Sequence, residues 1–389
     1  MIETLDERQQ QALRWLGESH EDMVQLLRRI VDVDSGSYNK RGVDDVVSAL
    51  REFLERHGVA CSIHANEAAG NCMRAEVPGT DVARTQPVVL MGHCDTVFPD
   101  GTAAQRPFRI DGDLAYGPGV ADMKAGLVMN SFVLAAFARA GLAVPLVGLY
   151  TADEEIASPA SRSFIEAHAT RARAVLNAEP GRPSGNVVTG RKGAMFVDFH
   201  VTGVPAHSGG NHQEGASAIE AICRKVVKLH GLTDYGSGTT VNVGLIEGGT
   251  SVNTVAPSAK AAVDVRFTTL DAMKEVRSRL TQIVGELEVP RTCACITKEG
   301  LFLPLVQSAA GEALFEMYVE AAGQLGFEAG GEFSGGSADS GFTAAAGVPT
   351  LCGTGPVGGK VHTAQEWLKV GTMVPRAQAV ALTAMRLLR

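Results

Sequence analysis

The sequence predicts an α/β protein in which a mostly parallel sheet, covered on both faces, is interrupted by a smaller inserted ferredoxin-like domain. Three observations carry this prediction. Over roughly the first 188 residues, short β-rich runs alternate with stretches of helical periodicity, the order of βαβ units. The central stretch changes to the order β-α-β-β-α-β, and the first pattern returns after about Leu301. Acidic residues and histidines also recur where strands run out, the place where parallel sheets bind ligands.

Each element follows from local pattern. Helical spacing of apolar residues marks Asp6–Gly17, Glu21–Val31 and Val43–His57. Strand-like runs follow at Ala60–His64, Asn71–Val77 and Pro87–Gly92. The glycine-rich Tyr116–Gly119 leads into an apolar helix over Lys124–Ala140. Strand Pro145–Ala152 ends in the acidic run Asp153-Glu154-Glu155, after which Ser158 and Pro159 predict an N-cap and first helical turn. Strand Arg173–Asn177 ends at Ala178-Glu179-Pro180. In the middle, Ala194–Thr202, Thr239–Ile246, Ser258–Phe267 and Arg291–Thr297 read as strands, with helices at Ala216–His230 and Asp271–Leu287. A helix at Ser308–Leu325, the glycine-rich Ser334–Gly341, a strand at Pro349–Gly353 and a helix at Met373–Leu388 complete the chain. The expected division is therefore 1–188 with 302–389 as one domain and 189–301 as the insert.

Composition removes several function classes. The net charge of −8 argues against nucleic acid, which needs clustered Lys and Arg. The apolar stretches Gly126–Ala138 and Gly141–Ala152 fall short of the ~18–20 residues of a membrane span. The opening run MIETLDERQQQALRWL is acidic and lacks the apolar core of a signal peptide, so it reads as the first helix. Seven cysteines in a long chain make a disulfide framework improbable and fit a reducing cytoplasm. Cys293-x-Cys295 on a predicted strand reads as a pair of small fillers. The 44 glycines, about 11% against a typical ~7%, concentrate the argument on loops.

The chemistry-bearing residues stand at strand ends: His93 with Asp95, Asp122, Glu154-Glu155, Glu179 and His362. Residues i and i+2 of a strand share a face, so Asp95 can orient the His93 imidazole. Glu154 and Glu155 are adjacent on a loop and must diverge, which lets them hold different roles. Together these residues suggest converging metal ligands. A dinucleotide site is excluded because Asp122 replaces the third glycine after Gly117-x-Gly119. Serine hydrolysis is excluded by the lack of a G-x-S-x-G elbow.

Met91-Gly92-His93-Cys94-Asp95-Thr96-Val97-Phe98-Pro99 resembles the H-x-D-T-V-x-P element of the M20 metallopeptidases. Tyr116 to Gly126 resembles that family's G-x-G-x-x-D-M-K-x-G element. Asp153-Glu154-Glu155, Asn177-Ala178-Glu179-Pro180 and Gly359-Lys360-Val361-His362-Thr363 complete the family's order, and the likeness is greatest to the glutamate carboxypeptidase branch. The resemblance implies two zinc ions, with cobalt or manganese able to substitute. Asp122 would bridge them, His93 and Glu179 completing one ion and Glu155 and His362 the other. It implies Glu154 as the general base acting on a metal-bridging water, with Asp95 supporting His93. It further implies a lid and dimerisation role for the insert, and a homodimer. His207 would then reach the partner subunit's site to steady the oxyanion.

Asn253 and Arg266 match positions that contact a substrate carboxylate in related carboxypeptidases, and Gly336 lies in a substrate loop. A guanidinium suits that task because it grips a carboxylate bidentately. Two departures stand out. Lys298 occupies the stretch where glutamate-specific members carry a further arginine, and Ala338 and Gly341 replace usual polar residues around Asp339. The expected activity is release of a C-terminal amino acid from a peptide or N-acyl conjugate. The alternatives are an aminoacylase, deacetylase, desuccinylase or deaminase on the same metal scaffold, and a non-catalytic binding protein.

Overall fold

The structure, a computed structural model, describes residues 5–79 and 85–388. Residues 1–4 of the opening acidic run lie outside them. The chain separates into two compact units: Met1–Gly190 with Gln307–Phe333 and Phe342–Arg389, and Arg191–Val306 with Ser334–Gly341. The glycine-rich loop Ser334–Gly341, expected with the larger domain, therefore groups with the smaller one.

The larger unit is built on an eight-stranded sheet. Its strand order is Ala60–His64, Cys72–Glu76, Leu146–Thr151, Val88–His93, Ala174–Asn177, Thr350–Cys352, Val187–Arg191 and Gly331–Ser334. The four central strands pair in parallel. Ala60–His64, Cys72–Glu76 and Val187–Arg191 pair antiparallel, so the sheet is mixed where the sequence pattern suggested a mostly parallel one. The reason is local: the first two strands form a hairpin-like pair without the intervening helix that a parallel crossover needs. Every residue of Val88–His93 and Leu146–Thr151 is buried, as expected of strands covered on both faces.

The helix Ala125–Arg139 lies against those two strands and against the helices Glu7–Glu18, Lys40–Arg56 and Met373–Leu387. Its residues from Ala125 to Phe137 are all buried, which explains why it is apolar all round. Among the described residues, Val120–Arg139 is the one stretch long and apolar enough to cross a bilayer, and its residues from Val120 to Phe137 are all buried in the protein. The helix Glu7–Glu18 begins at a capping box in which Asp6 accepts from the Gln9 N–H and the Gln9 side chain accepts from the Asp6 N–H. A small antiparallel sheet of Arg109–Asp111, Leu114–Tyr116, Trp367–Lys369 and Gly358–Gly359 was not foreseen.

One expected cap is corrected. Ser158 has a left-handed φ of 53° and the helix starts three residues later, at Ser161. The buried Asp153 carboxylate does the capping, accepting from the N–H groups of Ala160 and Ser161.

The smaller unit is a four-stranded antiparallel sheet in the order Thr240–Gly248, Ser258–Phe267, Gly193–Thr202, Cys293–Phe302. Its chain order is β-α-β-β-α-β, with helices Ala218–His230 and Leu270–Gly285. Met195, Val197, Phe199 and Val201 alternate onto one face and share an apolar core with both helices. Ser217 and Thr269 cap these helices. All seven cysteines are free, and Cys293 and Cys295 sit exposed on the last strand.

Candidate active site

Seven of the expected residues belong to the larger unit, and the fold brings them together. His93 closes the strand Val88–His93. Its Nδ1 lies 3.0 Å from the Asp95 carbonyl oxygen and 3.3 Å from Asp95 Oδ1. With Nδ1 donating there, Nε2 is turned towards three carboxylates: Asp122 Oδ1 at 3.3 Å, Glu179 Oε1 at 3.6 Å and Glu154 Oε2 at 4.0 Å. His362 Nε2 lies 3.2 Å from Asp122 Oδ2 and 3.2 Å from Glu155 Oε2. Asp122 thus faces one histidine with each oxygen, and Glu154 and Glu155 diverge to different sides.

The backbone explains these directions. Glu154–Ile156 is a single 3-10 turn, and its first two N–H groups donate to the two oxygens of the fully buried Asp95, each at 3.1 Å. Ser37 also donates to Asp95, at 2.6 Å. Asp95 therefore both orients His93 and fixes the turn that aims Glu154 and Glu155. Asp122 sits in an irregular segment, Val120–Lys124, beside a cis Asp122–Met123 peptide. Gly119 opens that segment at a φ of 71°, a left-handed conformation that glycine adopts without steric cost. His362 itself has a φ of 61°.

Two three-residue sets, His93–Asp122–Glu179 and Asp122–Glu155–His362, each gather one donor atom per residue within 4.8 Å and share Asp122. The donor spacings within each set suit a cation. Bonds of ~2.0–2.1 Å in a tetrahedron put neighbouring ligand atoms ~3.3 Å apart, and the histidine–carboxylate separations run from 3.2 to 3.6 Å. Charge-assisted hydrogen bonds are shorter, ~2.7–2.9 Å. Asp122 Oδ1 and Glu155 Oε1 are also buried with no hydrogen-bond partner. The residues present therefore fit a pair of metal ions sharing Asp122.

Electrostatics point the same way. Burial pushes the His93 imidazole towards its neutral form, but Asp122, Asp95 and Glu179 outweigh it and hold its pKa well above 6.5. Asp122 and Glu155 raise His362 to about 10. Burial, reinforced by Asp122, raises Glu155 to about 7. Asp122 is buried too, yet the two histidines hold its pKa below the usual carboxylate range. Such an excess of buried carboxylate attracts cations, whether protons or metal ions.

One positioning residue escaped sequence reasoning. Glu366 is buried and accepts from the N–H groups of Gly119 at 3.2 Å, Ala121 at 2.8 Å and Asp122 at 2.9 Å. It holds the loop that carries Asp122. Its one sequence signal is its place four residues after His362, which does not reveal that it is buried.

The remaining expected residues lie in the smaller unit. His207 Nδ1 accepts from the N–H groups of Gly209 and Gly210, which leaves Nε2 as the protonated nitrogen and a donor. Asn253 is adjacent, its carbonyl accepting from the Ser208 N–H. Arg266 is already paired: its Nε and Nη2 each lie 2.7 Å from the Asp264 carboxylate. Its Nη1 faces Ser337 at 3.5 Å, and its guanidinium lies over the Phe196 ring. One bidentate side of the guanidinium is therefore spent within the strand, which leaves its outer Nη1–Nη2 edge. Gly336 is exposed, and its carbonyl accepts from Arg191. Lys298 is exposed at a bulge, opposite Asp198 in register.

Comparison with known proteins agrees with this geometry. Residues 89–386 match Peptidase family M20/M25/M40. The chain is 26% identical over 353 residues to carboxypeptidase G2 of Pseudomonas sp. (strain RS-16), covering 88% of this chain and 83% of that protein. It is 28% identical over 263 residues to acetylornithine deacetylase of Proteus mirabilis (strain HI4320), covering 62% of this chain and 66% of that protein. Among solved structures, an M20 family metallo-carboxypeptidase, Sso-CP2 from Sulfolobus solfataricus, superposes with a TM-score of 0.72 at 18% identity, covering 93% of this chain and 98% of that one. With two histidine–carboxylate sets sharing one aspartate and a family match over most of its length, the chain belongs to peptidase family M20/M25/M40, whose members are metal-dependent hydrolases.

Proposed function

We propose that the protein is a dizinc metallocarboxypeptidase that releases a C-terminal amino acid from a peptide or N-acyl conjugate. The sharing of Asp122 between two histidine–carboxylate sets carries the reading. His93 and Glu179 would hold one ion, Glu155 and His362 the other, with Asp122 common to both. When bound, the ions supply Lewis acidity for the scissile carbonyl and lower the pKa of water. Cobalt or manganese could take the same donors.

Glu154 takes a proton from the attacking water and delivers it to the leaving nitrogen. It lies on the His93 side of the cluster, its Oε2 4.0 Å from His93 Nε2. Asp95 holds the His93 ring and the Glu154–Glu155 turn, so it acts by positioning. His207, with Nε2 as donor, steadies the oxyanion in the partner subunit's site, Asn253 and Arg266 contact the released amino acid's carboxylate, and Gly336 belongs to a substrate loop. The smaller unit is proposed as a ferredoxin-like lid that also forms a homodimer, and the cytoplasm as the site of action.

The Asp264–Arg266 pair favours a second reading on the same chemistry. With Nε and one Nη2 hydrogen engaged, Arg266 keeps only its outer Nη1–Nη2 edge for a substrate and shares its charge with Asp264, a weaker hold on a C-terminal carboxylate than an unpaired guanidinium gives. An aminoacylase or deacetylase, defined by its acyl group, needs less of that hold.

Glu154→Gln tests the mechanism. Turnover on a panel of N-acyl amino acids and dipeptides should fall by about 10²–10⁴-fold, the usual contribution of a general base, while elemental analysis still finds two metal ions per chain. Near-native turnover by this variant would remove Glu154 from the chemistry. Within the panel, sensitivity to amidation of the C-terminal carboxylate supports the carboxypeptidase, and indifference to it supports the second reading.

A further inference from the structure

Beside Glu155, the larger unit contains a cavity of about 420 Å³ to which no role has been given. Small-molecule sites span ~300–1,000 Å³. We propose that this cavity is the subsite for the acyl-side group of the substrate, and that it takes an uncharged apolar or aromatic group; the proposal rests on the hydrolase reading above.

The wall is apolar where it is free to make contact. Tyr38, Val97, Phe98, Pro99 and Ile156 line it together with Glu155. Tyr38 is 81% exposed and Val97 41% exposed, so two large apolar side chains face solvent next to the metal ligands. Arg106 lies over the Phe98 ring and is not itself part of the wall.

The polar side chains of Ser37, Asn39 and Thr96 on the wall are already engaged. Ser37 donates its hydroxyl to Asp95. The Asn39 amide nitrogen donates to the Asp34 carbonyl oxygen and to Asp100 Oδ1, while its oxygen accepts from the Gly42 N–H. The Thr96 hydroxyl oxygen accepts from the Phe98 N–H. The wall carries two carboxyl groups, Asp100 and Glu155, and no Lys or Arg lines it. A succinyl, aspartyl or glutamyl side-chain carboxylate would find no Lys or Arg on this wall to meet it and would lie against the Asp100 carboxylate.

Its place assigns the cavity to the acyl side. Thr96 to Asp100 continue directly from Asp95, which positions the ligand His93, and Ile156 follows the ligand Glu155, so the cavity adjoins the metal site in the chain. The residues proposed for the released carboxylate, Asn253 and Arg266, both belong to the smaller unit, whereas every lining residue here belongs to the larger one. That leaves the group on the other side of the scissile bond for this wall.

The test compares kcat/KM of the zinc-loaded enzyme for N-benzoyl, N-acetyl and N-succinyl derivatives of one amino acid, the one turned over fastest in the panel above. Benzoyl should exceed acetyl by about tenfold or more, the discrimination a hydrophobic pocket commonly provides, and succinyl should be the slowest. Tyr38→Ala and Val97→Ser should each reduce the benzoyl-to-acetyl ratio at least threefold. An unchanged ratio in both variants, or a preference for succinyl, overturns the subsite while leaving the hydrolase reading intact. If none of the three derivatives is cleaved in a zinc-dependent way, the hydrolase reading fails instead. Calorimetric titration of the zinc-loaded protein with N-benzoylglycine then decides the subsite: weaker binding in both variants upholds it, and unaffected or undetectable binding ends it.

Discussion

At the scale of single residues, Glu366 illustrates how a site can depend on a group that touches no reacting atom. Its carboxylate satisfies three N–H groups in the loop carrying Asp122. Glu366→Gln keeps the size but turns an amide NH₂ towards backbone donors. Groups that orient metal ligands typically cost 10–100-fold in metal affinity when replaced. Chelator competition should therefore show at least about tenfold weaker binding in this variant; affinity equal to the native chain would assign Glu366 to folding alone. The donor set around Asp122 was legible in the sequence because each member ends a strand or opens a loop. Glu366 was not, since nothing in H-T-A-Q-E distinguishes a buried carboxylate from a solvated one. Arg266 shows the opposite limit. Its residue type suggested a substrate clamp, but Asp264, two positions away on the same strand face, competes for the guanidinium. The glycines divide in the same way: Gly119 needs its positive φ, whereas an added Cβ at Gly335 would meet nothing.

At the scale of elements, long periodic segments were legible and short ones were not. The helix read over Lys124–Ala140 is observed at Ala125–Arg139, and the strand read over Ser258–Phe267 has those bounds. The small sheet that includes Leu114–Tyr116 and Gly358–Gly359 has strands of two or three residues, too short to show alternation. It also pairs segments far apart in sequence. The antiparallel flanks of the large sheet were missed because strand direction depends on connections that local patterning does not encode. Helix packing near the site yields its own prediction. A Cβ at Gly126 would stand 2.0 Å from the Ala178 carbonyl oxygen, one residue before Glu179. Since that neighbour is backbone, Gly126→Ala must displace either the helix or the strand end. Overpacking of this kind costs ~1–3 kcal/mol, so the melting temperature should fall by several degrees and metal affinity should fall with it. A variant as stable and as metal-avid as the native chain would mean the Ala178–Glu179 segment is not held by this helix.

At the scale of the whole molecule, the buried carboxylates link metal binding to pH and stability. Glu155 and Glu366 both rise from the ordinary 4.5 to about 7 on folding, chiefly through burial. Between those values the metal-free folded state binds more protons than the unfolded chain, so stability falls as pH rises from about 4.5 to 7. His362 has its pKa raised from 6.5 to about 10 by Asp122 and Glu155. Its contribution is complete below 6.5 and is lost as pH rises through about 10. All three groups therefore make the metal-free protein less stable as the solution becomes more alkaline. Metal binding runs the other way, because the ligands must shed those protons before they can coordinate. Stabilisation by a ligand grows with the ratio of its concentration to Kd, so it should grow with pH over the same window. The gap in melting temperature between zinc-loaded and chelator-treated protein should widen from pH 5.5 to pH 8. Calorimetry in buffers of different ionisation enthalpy should detect proton release on zinc binding near pH 6. A gap that stays constant or narrows, with no protons released, would show that the cluster of Asp122, Glu155 and His362 does not hold the metal.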